Sequence, residues 1–230
     1  MNNVNCRVYD DFNRIPAEKI DRFKGIPAAN LDDVMGRQAA ACAELKPVGK
    51  AGIVGPAFTV KVPAGDNLMM HYAVDKVKEG DVLVIDAGGS INRATFGDIL
   101  VQYLVTKKVA GIIVDGAIRD KEDIIASGMP VYCRGVVPDG PWKNGPGEVN
   151  TPVCIGGRVV NPGDIVVADS DGIVFIRPED ADDVYEKVQK LMQGEAIALK
   201  KIAETGEMIR PWVMEKLNAL GCEFHEKYEG

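Results

Sequence analysis

Apolar and polar positions alternate along this chain in blocks that predict a strand-and-helix half, a strand-only stretch and a helical tail. Two unbroken apolar runs, Val82-Leu83-Val84-Ile85 and Gly111-Ile112-Ile113-Val114, read as buried strands. Each ends in an aspartate and a glycine turn, Asp86-Ala87-Gly88-Gly89-Ser90 and Asp115-Gly116-Ala117-Ile118. Between them, Asp98 to Lys108 carries apolar residues at 100, 101, 104 and 105, the spacing of a helix packed on a sheet. A helix over Lys121 to Ser127 and a strand over Pro130 to Cys133 follow, so residues 82 to 133 have the pattern of a parallel α/β layer.

Upstream, the pattern predicts a helix from Ala28 to Glu44, capped by Asn30 or Asp32, and a strand from Gly55 to Val62 with Thr59 and Lys61 exposed. Asn67 to Val77 reads as helical, and residues 134 to 150, rich in Gly and Pro, as a long loop of the kind that often covers a site. From Thr151 to Arg177, short β runs separated by Gly156-Gly157, Asn161-Pro162-Gly163-Asp164 and Asp171-Gly172 predict hairpins. Asp180 to Glu204 and Trp212 to Leu220 read as helices, the tail being suited to pack on a neighbouring subunit. The fold class is α/β with mixed α/β/β layering. We expect a single domain over residues 1–230, with its core at about 25–180 and a helical C-terminal extension at about 180–230.

Composition narrows the function. A net charge of −7 with no basic run argues against binding nucleic-acid phosphates. Cysteines at 6, 42, 133, 154 and 222 are odd in number, far apart and form no Cys-x-x-Cys, so neither a disulfide framework nor a thiolate zinc site is indicated and a reducing cytosol fits best. The start of the chain lacks the basic and apolar regions of a signal peptide, and no segment is apolar over the ~18 residues of a membrane span. The expectation is a soluble cytoplasmic protein with no membrane partner.

The candidate chemistry sits at two corners, Gly97-Asp98 and Arg119-Asp120, each just after a predicted strand. Asp98 reads either as a plain helix cap or as part of an anion site in which the free N–H groups of Ile99 and Leu100 hold a substrate carboxylate. Arg119-Asp120 reads either as a local salt bridge with a cap or as a guanidinium and carboxylate aimed at a ligand. Two such corners, neighbours in a parallel sheet, favour the functional reading, because ligands of open α/β sheets bind outside the carboxyl ends of the strands. A cation held there by Asp oxygens and water is Mg²⁺ or Mn²⁺ rather than zinc. His71 and His225 lack metal-ligand spacing and read as packing or surface residues. Asp169-Ser170-Asp171-Gly172 reads as a hairpin turn rather than a calcium loop. Gly-x-Ser-x-Gly, the P-loop and Gly-x-Gly-x-x-Gly are absent, and Lys121 lies in a charged run unsuited to a Schiff base.

Val84-Ile85-Asp86-Ala87-Gly88-Gly89-Ser90, Gly97-Asp98-Ile99-Leu100, Val114-Asp115-Gly116-Ala117-Ile118-Arg119-Asp120 and Val160-Asn161-Pro162-Gly163-Asp164 together resemble the 4-hydroxy-4-methyl-2-oxoglutarate / 4-carboxy-4-hydroxy-2-oxoadipate aldolases. These share a superfamily with the regulator of ribonuclease E activity A. The resemblance covers roughly residues 25 to 210 and includes the Asp98-x20-Arg119-Asp120 spacing. It implies an α/β/β sandwich of the swivelling-domain type, assembled as a homotrimer or homohexamer. It also implies a class II pyruvate aldolase that cleaves a 4-hydroxy-2-oxo acid, with oxaloacetate decarboxylation as a side activity. By matching motifs, Asp120 binds Mg²⁺ or Mn²⁺, Arg119 holds the pyruvyl oxygen, Asp98 orients a water on the metal, and Gly97 to Leu100 take the pyruvate carboxylate. A glutamate from the neighbouring subunit's C-terminal helix, Glu195 with Glu204 or Glu207 as alternatives, reaches the metal. The resemblance also leaves room for a non-enzymatic protein-binding regulator of ribonuclease E and for oxaloacetate decarboxylation as the main role.

Overall fold

A computed structural model describes residues 4–228, and its centre is a sheet whose four middle strands run parallel. In chain order the first strands are β1 (Cys6–Val8), β2 (Lys46–Val48), β3 (Ile53–Lys61), β4 (Val82–Asp86) and β5 (Gly111–Asp115). Then come β6 (Ala117–Ile118), β7 (Val131–Cys133), β8 (Gly135–Val136) and β9 (Gly147–Val149). Two hairpins follow, β10 (Val153–Ile155) with β11 (Arg158–Val160) and β12 (Ile165–Ala168) with β13 (Ile173–Ile176). The helices are α1 (Ala17–Asp21), α2 (Ala28–Val34), α3 (Leu68–Ala73), α4 (Asp98–Thr106), α5 (Lys121–Ser127), α6 (Ala181–Thr205) and α7 (Pro211–Ala219).

Strands β3, β4, β5 and β7 lie side by side in parallel, joined through α3, α4 and α5. Their apolar runs are unbroken because both faces are covered. On one face Phe58, Leu83, Ile85, Ile112 and Val114 pack with Met70 of α3, Leu104 of α4 and Ile124 of α5. On the other, Val82, Val84 and Ile113 pack with Val153, Ile155 and Val160 of the β10–β11 hairpin and Val166 of β12. Helices, central sheet and hairpins therefore form the expected α/β/β layering. Every one of these side chains is buried, and burying a residue of this size contributes about 1.5–3 kcal/mol. The second layer joins the first through β3, whose Ile53–Pro56 half pairs antiparallel with β12.

Several local expectations are corrected. The helix read over 28–44 stops at Val34, because Gly36 and Arg37 adopt positive φ (78° and 59°) and Asp32 Oδ1 accepts the N–H groups of Ala39 and Ala40. Neither Asn30 nor Asp32 caps its start. Pro27 holds the N-cap position, and the N–H of Ala28 donates to Asp169 Oδ2 at 2.8 Å from the turn between β12 and β13. That same turn has Asp169 Oδ1 accepting from the backbone of Asp171 and Gly172, as a hairpin turn requires. Thr59 is fully buried, its hydroxyl donating to the Thr151 carbonyl. The helix after Asn67 is short, ending at Ala73, and the stretch read as a loop over 134–150 contains β8 and β9. Strand β9 pairs with β3 and also carries β1, so this segment extends the main sheet.

The strand-terminal aspartates hold the two layers together. Asp115 accepts from Arg134 Nε and from the Gly156 N–H, and Asp86 from the Gly88 and Cys154 N–H groups, so both carboxylates are occupied by the β10–β11 hairpin and its neighbours. A third aspartate, Asp81, is fully buried and takes a two-pronged ion pair from Arg14 along with the Lys78 N–H. Arg14→Met leaves that carboxylate buried without its cation and is expected to destabilise the fold by about 3 kcal/mol in urea unfolding. An unchanged midpoint would mean that water replaces the guanidinium.

All five cysteines are free, and they differ in exposure. Burial pushes the Cys133 thiol up to about 11. Cys133 is therefore expected to resist a disulfide reagent at pH 8 in the native protein, whereas exposed Cys6, Cys154 and Cys222 react. Because the raised value disfavours the thiolate only in the folded state, this group's contribution to stability is lost as pH rises above its unfolded value near 9.0.

One compact unit runs through Val188, and a second begins at Gln189 within α6. Ala181, Val184 and Val188 bury the first turns of α6 in the first unit. The second unit comprises the rest of α6 and α7, with Ile197, Leu199, Trp212 and Met214 exposed. No helix among the described residues is long and apolar enough to cross a membrane.

Candidate active site

The two corners meet. Thr95 N–H donates to the Ala117 carbonyl at 2.7 Å and Arg119 N–H to the Phe96 carbonyl at 3.0 Å, so the chain entering α4 is laced to the chain entering α5. Gly97 is the N-cap of α4 and makes no side-chain cap, and Asp98 is the first helical residue rather than the cap. The capping oxygen comes instead from the other corner, with Asp120 Oδ2 accepting the Asp98 N–H at 3.2 Å. Asp120 is the N-cap of α5 and adopts the left-handed region (φ 57°, ψ 43°), an uncommon conformation for a residue with a side chain.

Arg119 lies beside it, Nε 3.3 Å from Asp120 Oδ2, yet that Nε is buried with no hydrogen-bond partner. The salt-bridge reading is thus realised as proximity without a directed bond. Gly97 permits the arrangement. A Cβ there would overlap Asp120 Oδ2 and lie 3.0 Å from both Arg119 Cγ and Nε. Gly140 does the same from above, where a Cβ would lie 2.9 Å from Arg119 Nη1.

A cavity of about 290 Å³ opens at this point, lined by Gly97, Asp98, Ile99, Leu100 and Arg119. The first amides of α4 have no acceptor within their own helix, and only that of Asp98 is taken by Asp120. The N–H groups of Ile99 and Leu100 thus belong to a helix end of the kind that suits an anion. Asp120 stands behind Gly97 rather than on the cavity lining. Among the described residues no group of three or more His, Cys, Asp or Glu side chains could hold a metal ion. The oxygen donors at hand, Asp120 and Asp98, fit Mg²⁺ or Mn²⁺, which commonly take one or two carboxylates and complete their shell with water and ligand oxygens. Glu195 and Glu204 lie on α6 in the second unit, and Glu207 follows that helix.

Sequence reasoning missed several cavity residues, among them the polar ones Asn67, His71 and Lys143. Asn67 is the N-cap of α3 and His71 is its fourth residue, in an element readable in sequence. Lys143 arrives from the Gly/Pro-rich segment, where only its suspected cover role gave a signal. His71, read as packing or surface, is held below the usual imidazole range, first by burial and then by the Lys143 charge.

The sequence model of the RraA-like family, described as Aldolase/RraA, matches residues 6–175. A Halalkalibacterium halodurans protein named "Putative 4-hydroxy-4-methyl-2-oxoglutarate aldolase" is 38% identical over 165 residues, 72% of this chain and 78% of the relative. Among solved structures, Streptomyces coelicolor RraAS2, titled an unusual member of the RNase ES inhibitor RraA protein family, superposes with a TM-score of 0.72 at 28% identity. That match covers 81% of this chain and 98% of RraAS2. The RNA-processing inhibitor RraA from Thermus thermophilis gives a TM-score of 0.61 at 29% identity, covering 66% of this chain and 92% of its own.

Proposed function

Because the chain belongs to the RraA-like family of aldolases and RraA proteins, we propose that it is a divalent-metal-dependent pyruvate aldolase. Its substrate is a 4-hydroxy-2-oxo acid such as 4-hydroxy-4-methyl-2-oxoglutarate, cleaved to pyruvate and a second keto acid. The observation that carries this reading is the cavity lined by Gly97, Asp98, Ile99, Leu100 and Arg119, with Asp120 bonded behind it to the Asp98 amide. A homotrimeric or homohexameric assembly belongs to the same reading.

The chemistry follows from what these groups offer. The carboxylate of the 2-oxo acid accepts from the N–H groups of Ile99 and Leu100 at the positive end of α4. The Arg119 guanidinium donates to the C2 oxygen, where negative charge grows as the C3–C4 bond breaks and its electron pair moves into the pyruvate enolate. The Asp98 carboxylate, on the cavity wall, takes the C4 hydroxyl proton through a water, leaving the second keto acid with its new carbonyl. Returning a proton to C3 completes pyruvate. Asp120, with Asp98 nearby, would hold a Mg²⁺ or Mn²⁺ ion, which would supply Lewis-acid stabilisation of the same negative charge. Oxaloacetate yields the identical enolate by losing carbon dioxide, so its decarboxylation is the expected side activity.

The test is pyruvate release, coupled to lactate dehydrogenase, from 4-hydroxy-4-methyl-2-oxoglutarate and from oxaloacetate with Mg²⁺, with Mn²⁺ and with EDTA. The expected result is release from both that EDTA abolishes, with the hydroxy acid preferred. A faster rate on oxaloacetate would make decarboxylation the main role. The solved relatives named as RNA-processing inhibitors keep a second reading in view. Absence of turnover together with tight, saturable binding to ribonuclease E would establish that reading instead.

A further inference from the structure

Arg119 lies between two glycines. Gly97 stands on its Asp120 side, and Gly140 lies against the end of the guanidinium, where a Cβ would come within 2.9 Å of Nη1. Gly140 belongs to the Gly/Pro-rich segment after β8, and one side chain fastens that segment. Arg93 Nη1 donates to the Gly140 carbonyl, and its guanidinium carbon stands 4.6 Å from the centroid of the Trp142 ring, a cation–π contact two residues further on. The stem of Arg93 runs along Gly65, where a Cβ would meet Arg93 Cδ at 2.7 Å, and the Gly65 carbonyl accepts the Trp142 N–H at 2.8 Å. The next residue, Ala94, donates its N–H to the Asp139 carbonyl at 2.9 Å, so two successive residues hold two successive carbonyls of the segment. The same stretch is laced to Ala117 through the Thr95 N–H and then delivers Gly97 and α4.

Arg119 Nε has no hydrogen-bond partner, and its contact with Asp120 Oδ2 is 3.3 Å without a directed bond. A planar fork donates well only when its plane meets the acceptor, so whatever the guanidinium lies against decides how well it serves a ligand oxygen. We propose that Arg93 is a positioning residue for Arg119: by holding the Gly140 carbonyl and the Trp142 ring it seats the segment on Arg119 Nη1 and sets the direction in which the guanidinium meets the substrate's C2 oxygen. Gly140 and Arg119 line the cavity and Arg93 does not, so Arg93 acts through its neighbours. Its own charge is directed to a carbonyl and an aromatic face, which leaves that of Arg119 for the cavity. The assignment rests on the proposed function in one respect, that negative charge develops on an oxygen at Arg119.

The experiment is a double-mutant cycle of Arg93→Met and Arg119→Lys, read by steady-state kinetics on both substrates and by calorimetric titration of oxalate and of pyruvate with Mg²⁺ present. Oxalate carries a negative oxygen where the enolate does, and pyruvate a neutral one. Methionine keeps most of the stem on Gly65 and removes the donor and the charge. Arg93→Met is expected to lower kcat about tenfold, the scale of losing a group that orients a reacting one, with KM within about twofold of the wild type. Oxalate is expected to bind about tenfold more weakly and pyruvate within about twofold of the wild type. The double variant is expected to match Arg119→Lys within about twofold in kcat and in oxalate affinity, because Arg93 then has no fork left to aim. Gly140→Ala, which presses on Nη1 while leaving Arg93 in place, is expected to reproduce the loss of kcat and of oxalate affinity. Wild-type values in Arg93→Met or in Gly140→Ala, or a double variant about tenfold below Arg119→Lys, overturn the role. The two readings fail separately. Without pyruvate release, a non-additive loss of oxalate binding keeps the role of Arg93 and removes the aldolase, whereas a wild type that binds no oxalate removes the role. Pyruvate release with additive losses keeps the aldolase and removes the role.

Discussion

A Gly97→Ala protein will keep its fold and lose at least about 100-fold in kcat/KM for pyruvate formation, the scale expected when catalytic groups are displaced by about 1 Å. The backbone of Gly97 is extended (φ −138°, ψ −164°) and accessible to any residue, so the effect arises from the added methyl alone. That methyl would overlap Asp120 Oδ2 and press on Arg119 at 3.0 Å. Asp120 cannot yield freely, because its left-handed backbone and its bond to the Asp98 N–H fix where the carboxylate stands. Circular dichroism matching the wild type, alongside steady-state kinetics, separates a displaced site from a collapsed fold. Wild-type activity in Gly97→Ala would show that the carboxylate behind the cavity is free to move without consequence, and would remove Asp120 from the mechanism.

The second large effect is expected at Arg119. Arg119→Lys keeps the charge but loses the planar fork, whose Nε faces Asp120 at 3.3 Å and whose Nη1 lies close beneath Gly140. We expect kcat to fall by about 10²–10³ for cleavage of the hydroxy acid and for decarboxylation of oxaloacetate alike, because both place charge on the same C2 oxygen. KM should change far less, since the proposed partners of the substrate carboxylate are the helix amides rather than Arg119. A loss confined to one of the two reactions would contradict a shared enolate.

What the sequence revealed and what it hid divide along physical lines. Strands β4 and β5 were readable because burial on both faces leaves an unbroken apolar run, and α5 because its ends coincide with Asp120 and Gly128. The meeting of Gly97-Asp98 with Arg119-Asp120 was legible from two parallel neighbours turning at the same sheet edge. The cap that Asp120 gives to α4 was not, since nothing local distinguishes a carboxylate that caps its own helix from one that caps the helix beside it. Long-range partners account for the other misses. Thr59 looked exposed because its Thr151 acceptor lies far along the chain, and α2 looked long because the bonds from Ala39 and Ala40 back to Asp32 depend on a turn with no apolar signature. Strand β9 is three residues inside a Gly/Pro-rich segment and is a strand only because β3 and β1 flank it. The same segment hid Lys143, whose place beside Asn67 and His71 depends on the pairing of Asp66 with Trp142.

The claim on which the rest depends is that Asp120 serves a cation as well as the structure around it. Titration of Mn²⁺ into the wild-type protein and Asp120→Ala, with free Mn²⁺ read by electron paramagnetic resonance, tests it without relying on turnover. The predicted result is saturable binding by the wild type that Asp120→Ala weakens at least about 100-fold, more than the loss typical of an outer-shell change. Equal binding by the two proteins, or none by the wild type, would contradict the account and return Asp120 to the role of a helix cap beside an arginine.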